Sequence, residues 1–140
     1  MTDPDLIEKR LAWIERLLAE LRTMVRPEAI SVDLMVRRFT EHTLQLAIQA
    51  TLDVASHIVS DQRLGEPRTN RELFELLARG GWLEGDQVPA LRAMTGFRNI
   101  VVHGYLVVDP AIVRDVVENR LTDLDRFVLV IRQKMVLPLP

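Results

Sequence analysis

The sequence predicts an all-α fold: an up-down bundle of about five helices in a single domain spanning residues 1–140. Three observations carry this expectation. Apolar residues recur in steps of three and four over long stretches, the spacing that lines one face of an α-helix. Helix start and stop residues stand at the ends of those stretches. Three of the five helices are long, and no linker, repeat or low-complexity tract divides the chain.

The elements follow in order. Ile7, Leu11, Ile14, Leu18, Leu21 and Val25 step by 4, 3, 4, 3, 4 along the first helix. Asp3 or Thr2 serves as its cap, Pro4 fits its first turn, and Pro27 ends it. Ser31 and Asp33 mark the start of a second helix that runs to about Ser60 without glycine or proline. Phe39, Leu46, Ala50, Val54 and Ile58 form one face of it, and Leu44, Ile48 and Leu52 another. A helix apolar on two sides must bury both, against the bundle and against another helix or a second subunit. Asp61 to Thr69, with Gly65 and Pro67, reads as a loop. Asn70 is the expected cap of a short helix from Arg71 to Arg79, stopped by Gly80-Gly81. A fourth helix spans Val88 to about Val102, with Pro89 in its first turn and Gly104 as its terminator. Asp109-Pro110 has the form of an N-cap followed by an N1 proline. The last helix carries Val113, Val117, Leu121, Leu124, Val128, Ile131 and Met135, and the tail LPLP should fray.

Composition narrows the function. Eighteen Lys+Arg against twenty Asp+Glu give a net charge of −2, which excludes a strongly basic nucleic-acid wrapper but not a local basic patch. With no cysteine, thiolate metal sites, disulfides and thiol nucleophiles are excluded. No apolar run is long enough to cross a membrane, and the polar start MTDPDLIEKR does not resemble a signal peptide, so the expected location is the cytoplasm. No Glu-x-x-His pair, zinc spacing, phosphate loop or G-x-G-x-x-G is present, so neither metal nor cofactor is expected. Ser56 and His57 are adjacent on a helix and therefore do not face each other, which leaves a serine triad unsupported.

One segment concentrates polar chemistry: Phe97-Arg98-Asn99-Ile100-Val101-Val102-His103-Gly104-Tyr105. Residue types alone allow a plain helix end with a C′ glycine. Arg98-x4-His103-x-Tyr105, however, resembles the R-x4-H-x-Y motif of the HEPN superfamily. The stretches 38–50, 52–58 and 97–109 are similar to one branch of it, the HepT-like toxins. The resemblance covers most of the chain, with no departure inside the motif. It implies a homodimeric all-α bundle and a metal-independent ribonuclease whose motif lines a cleft at the dimer interface. It also implies a partner, a minimal nucleotidyltransferase antitoxin that transfers AMP to the motif tyrosine, here Tyr105.

The residue types suit that chemistry. RNA carries its own nucleophile, the 2′-hydroxyl, and a histidine with pKa near 6.5 can exchange its proton at physiological pH. Arg98 can pair its fork with the phosphate, whose charge grows in the transition state. His103 is therefore the candidate base or acid and Arg98 the candidate clamp. Residues five apart on a helix are rotated by about 140°. The pair converges only if the Arg98 side chain curls round, if Gly104 ends the helix early, or if a two-fold axis gathers two motifs into one cleft. An isologous dimer is the expectation. Asn99 shares a face with His103 and orients it or a phosphate oxygen, or else satisfies a buried carbonyl. Asp53, inside an apolar stretch, needs a partner: Arg98, Asn99, a backbone group or His57 one turn later. His42 is expected at the surface or an interface. Arg37, Arg38, Arg63, Arg68, Arg71 and Arg79 are candidates to rim the cleft, or else an ordinary charged surface. Two other readings stand beside the enzyme: a non-catalytic binding or regulatory partner of a nucleotidyltransferase, and an interaction bundle whose motif is coincidental.

Overall fold

The computed structural model describes residues 2–103 and 108–136, and among them all regular structure is helical. Helix α1 is Pro4–Met24, α2 Leu34–Asp61, α3 Glu72–Arg79 and α4 Val88–His103. The fifth rod is made of α5, Pro110–Asp115, a π-helical turn Val116–Arg120, and α6, Leu121–Val136, joined end to end. Single 3₁₀ turns, Pro27–Ala29 and Gly85–Gln87, lead into α2 and α4.

The chemistry of the ends explains the boundaries. Asp3 caps α1 by accepting from the amides of Asp5 and Leu6, with Pro4 at N1. Asp33 does the same for α2, through Met35 and Val36, and Asp109 for α5, through Ala111. Asn70 does not cap α3. Its first turn is held from outside, by Glu72 accepting from the amide of Arg68 at 2.7 Å. Gly81, at φ 80°, closes α3: the Trp82 amide bonds the Leu77 carbonyl and the Gly81 amide bonds that of Ala78, the paired bonds of a Schellman ending. Helix α2 ends the same way, with Leu64 bonding Val59 and Arg63 bonding Ser60. There an arginine rather than a glycine occupies the left-handed position, at φ 53°.

Helix α2 is the axis of the bundle and packs against α1, α3, α4, α5 and α6. This answers the question posed by its two apolar faces. Leu44, Ile48, Ala50, Leu52, Val54 and Ile58 are all buried within the one chain, so those turns do not need a second subunit. The first turns differ: Leu34, Met35 and Phe39 are exposed. On the far side α1 and α6 are laced by ion pairs. Arg22 is paired with Asp125, and Arg132 reaches both Glu8 and Glu15 at 2.5–2.6 Å. The hydrogen bond from Arg132 holds the Glu15 carboxyl below its usual range, and Arg132 is raised in turn. No helix among the described residues is long and apolar enough to cross a membrane.

The π-helical turn departs from the unbroken α-helix expected at 110–136. Its reason lies in the apolar spacing. Val113, Val117 and Leu121 are separated by two successive steps of four, which overshoot a 3.6-residue period by about 80°. A wider turn over Val116–Arg120 absorbs that drift, and Val113, Val116, Val117, Leu121 and Leu124 are all buried.

Candidate functional site

Helix α4 crosses α2 with Leu91, Met94, Thr95 and Phe97 turned into the core. This places Arg98, half-buried, opposite the middle of α2. Arg98 Nη2 donates to Gln49 Oε1 at 2.7 Å, and Nη1 donates to Asn99 Oδ1 at 3.3 Å. Gln49 Nε2 donates in turn to Asp53 Oδ1 at 2.9 Å. The other carboxylate oxygen of Asp53 lies 3.8 Å from Arg10 Nη1 on α1. The result is a chain of polar side chains running α1–α2–α4: Arg10, Asp53, Gln49, Arg98, Asn99. A shallow cavity of about 440 Å³, lined by Arg10, Asp53, Ser56, His57 and Ser60, opens at its Arg10–Asp53 end, between α1 and α2.

Several expected positions are corrected by this arrangement. Asp53 does not bond Arg98, Asn99 or His57; it reaches Arg98 through Gln49. Its neighbour is fixed by helical spacing, since positions 49 and 53 share a face. His57 points the other way along α2, its Nε2 lying 3.0 Å from Asp61 Oδ2. Asn99 Oδ1 accepts from its neighbour Arg98, and its expected part in orienting His103 lies outside what is described. His42 is exposed, as expected. Gln49 is the residue that sequence reasoning missed. The available signal was its i,i+4 relation to Asp53 inside a largely apolar stretch of α2.

The motif helix is helical through position 103, so an early end before His103 does not bring it to Arg98. On this rod Arg98 and His103 are about 140° apart. His103 is described in its backbone alone, and the expected turn at Gly104, Tyr105 and the tail LPLP lie outside the described residues.

Of the six arginines expected at a rim, Arg37 is occupied. It donates to the carbonyls of Ile30 and Ser31 at 3.0 Å and ties the start of α2 to the preceding turn. Arg71 is drawn to α4, where its Nη2 lies so near Gly96 that a Cβ there would meet it at 3.1 Å. Arg38, Arg63, Arg68 and Arg79 are exposed. Nearby on α2, burial pushes the Glu41 carboxyl up more than Arg37 and Arg38 pull it down. Among the described residues no group of three His, Asp or Glu side chains is placed to hold a metal ion.

Residues 7–131 match the family model described as Ribonuclease HepT-like, which is nearly the whole length of the bundle. The chain belongs to the HepT-like ribonuclease family. Family membership makes it an RNA endonuclease, and its HEPN fold is that of the toxin class. The mRNA nuclease HepT of Shewanella oneidensis is 31% identical over 129 residues, covering 91% of this chain and 97% of that protein. The tRNA nuclease HepT of Aphanizomenon flos-aquae is 35% identical over 113 residues, 77% and 75% of the two chains. Among solved structures, a tri-AMPylated HEPN toxin of Shewanella oneidensis in complex with MNT antitoxin superposes with a TM-score of 0.87. It is 30% identical and covers 94% of this chain and 99% of that one. YutE of Bacillus subtilis, 18% identical, shares the fold with a TM-score of 0.85.

Proposed function

We propose that this HepT-like chain is a metal-independent endoribonuclease toxin that cuts RNA in a cleft between two copies of itself and is silenced by an MNT-type nucleotidyltransferase antitoxin. The observation that carries the proposal is the intact Arg98-x4-His103-x-Tyr105 motif within a family match spanning residues 7–131. Family membership favours the enzyme over a non-catalytic binding partner.

Arg98 holds the scissile phosphate. Its two described bonds go to neutral amide oxygens, so the guanidinium keeps its charge and an N–H on each Nη for a phosphate oxygen. His103 takes the proton of the 2′-hydroxyl or protonates the leaving 5′-oxygen. The 2′-oxygen attacks phosphorus, the bond to the 5′-oxygen breaks, and a 2′,3′-cyclic phosphate remains. Because α4 keeps Arg98 and His103 on different sides of one rod, a second copy supplies the missing partner across a two-fold axis. Ile100, 56% exposed between the two motif residues, suits such an interface better than it suits water. Arg71, beside α4, is the arginine best placed to attract RNA.

The purified chain should therefore cleave RNA in excess EDTA and leave 2′,3′-cyclic phosphate ends. Exclusively linear 3′-hydroxyl ends would rule out attack by the 2′-hydroxyl.

Tyr105 is the AMP acceptor. Its oxygen attacks the α-phosphorus of ATP, the hydroxyl proton is lost and pyrophosphate leaves; the resulting phosphodiester sets a negative charge and a bulky nucleoside where an RNA phosphate must lie. Tyr105→Phe should stay toxic when the active antitoxin is co-expressed, whereas wild type is neutralised. AMP still found by mass on the variant at the wild-type level would remove Tyr105 from the acceptor role, and full neutralisation of an unmodified variant would remove the modification from silencing.

A further inference from the structure

We propose that Gln49 is a positioning residue for Arg98, and that Asp53 sets the direction in which it acts. The assignment rests on the reading of Arg98 as the phosphate clamp. A glutamine amide has a donor end and an acceptor end, and a guanidinium needs the acceptor. Here the choice is made by the charge on each side. The Asp53 carboxylate faces Gln49 as an acceptor and draws Nε2 at 2.9 Å. Oε1 is thereby turned to Arg98 at 2.7 Å. Arg10, 3.8 Å from the far oxygen of Asp53, holds the carboxylate from behind.

The choice of an amide has a chemical consequence. A carboxylate at position 49 would also accept from Arg98, but it would pair with the guanidinium and compete with the phosphate for its charge. It would also face Asp53 anion to anion. A neutral acceptor fixes the guanidinium plane and leaves its charge for RNA. Asn99 does the same on Nη1 at 3.3 Å. The clamp is thus held by two neutral oxygens from two helices.

The test uses the full chain, a short RNA substrate, kcat and KM for each variant, and thermal melting. Gln49→Leu should lower kcat by about 100-fold, the loss expected when a reacting group is misplaced by an ångström, with melting within a few degrees of wild type. In an Arg98→Ala background the same change should cost nothing further, because the group it positions is gone. Gln49→Glu should also lose rate. Gln49→Glu combined with Asp53→Asn restores a donor for the new carboxylate, and should recover the melting temperature but not kcat.

A wild type that cuts RNA while Gln49→Leu keeps kcat within threefold would overturn this assignment alone. So would an equal loss in the Arg98→Ala background, or full recovery of kcat in the double variant. A wild type that leaves RNA uncut would overturn the ribonuclease proposal and this assignment together.

Discussion

Arg98→Ala should lower RNA cleavage by about 10²–10³-fold, the cost of removing one donor aimed at a developing oxyanion. His103→Ala should lower it by about 10²–10⁴-fold, the usual worth of a positioned general acid or base. The double variant should not show the product of the two, because both groups act on one transition state. In a host without the antitoxin, growth arrest and RNA loss should accompany wild type and vanish with either variant. Arg98→Ala also leaves Gln49 Oε1 without its donor, at about 1 kcal/mol, too little to unfold a helical bundle of this size. Melting curves therefore separate lost chemistry from lost fold. Variants that stay folded and still cleave within threefold of wild type would remove these residues from the reaction.

The same residues show how far the sequence could be read. Arg98 and His103 stood out as candidates because a short motif carries them at fixed spacing. What the motif could not show was the support behind Arg98. Gln49 lies 49 residues away and meets Arg98 through the crossing of α2 and α4, which no local pattern encodes. Asp53 was legible as a charge inside an apolar stretch in need of a partner, yet its side chain is partly exposed and its partner was the amide one turn earlier rather than His57. Helix ends were legible wherever an aspartate stood before a proline or an apolar run, as at Asp3, Asp33 and Asp109. They were misread at Asn70, where Glu72 reaching back to the Arg68 amide replaced the cap. The paired apolar faces of α2 suggested a dimer, but four neighbouring rods bury them within one chain. The surfaces left open to the proposed second copy are the motif helix, where Ile100 is exposed, and the uncovered first turns of α2.

Phe127→Ala should be the most damaging single change to stability. Phe127 on α6 is fully buried, and its ring meets that of Phe74 on α3 edge-on, with centroids 6.3 Å apart and planes at 88°. Truncation removes the transfer energy of the ring and leaves a cavity that the surrounding helices cannot close, a loss of about 3–5 kcal/mol. The edge-to-face pair adds roughly 0.5–1.5 kcal/mol to what is at stake, so Phe127→Ala and Phe74→Ala should be less than additive. The loss would consume a large part of the 5–15 kcal/mol that holds a domain of ordinary stability. It should appear in denaturant unfolding as a lower midpoint at unchanged slope. Phe127→Leu, which fills most of the space, should cost less and keep a folded protein available for comparison. A loss below 1 kcal/mol for Phe127→Ala would mean that this contact does not join α3 to α6. Function tests the same contact independently. Arg98 is held from α2, which packs on both of these helices, so a folded Phe127→Leu variant should retain RNA cleavage close to wild type. A large fall in cleavage without a fall in stability would instead mean that the α3–α6 packing sets the geometry of the motif helix.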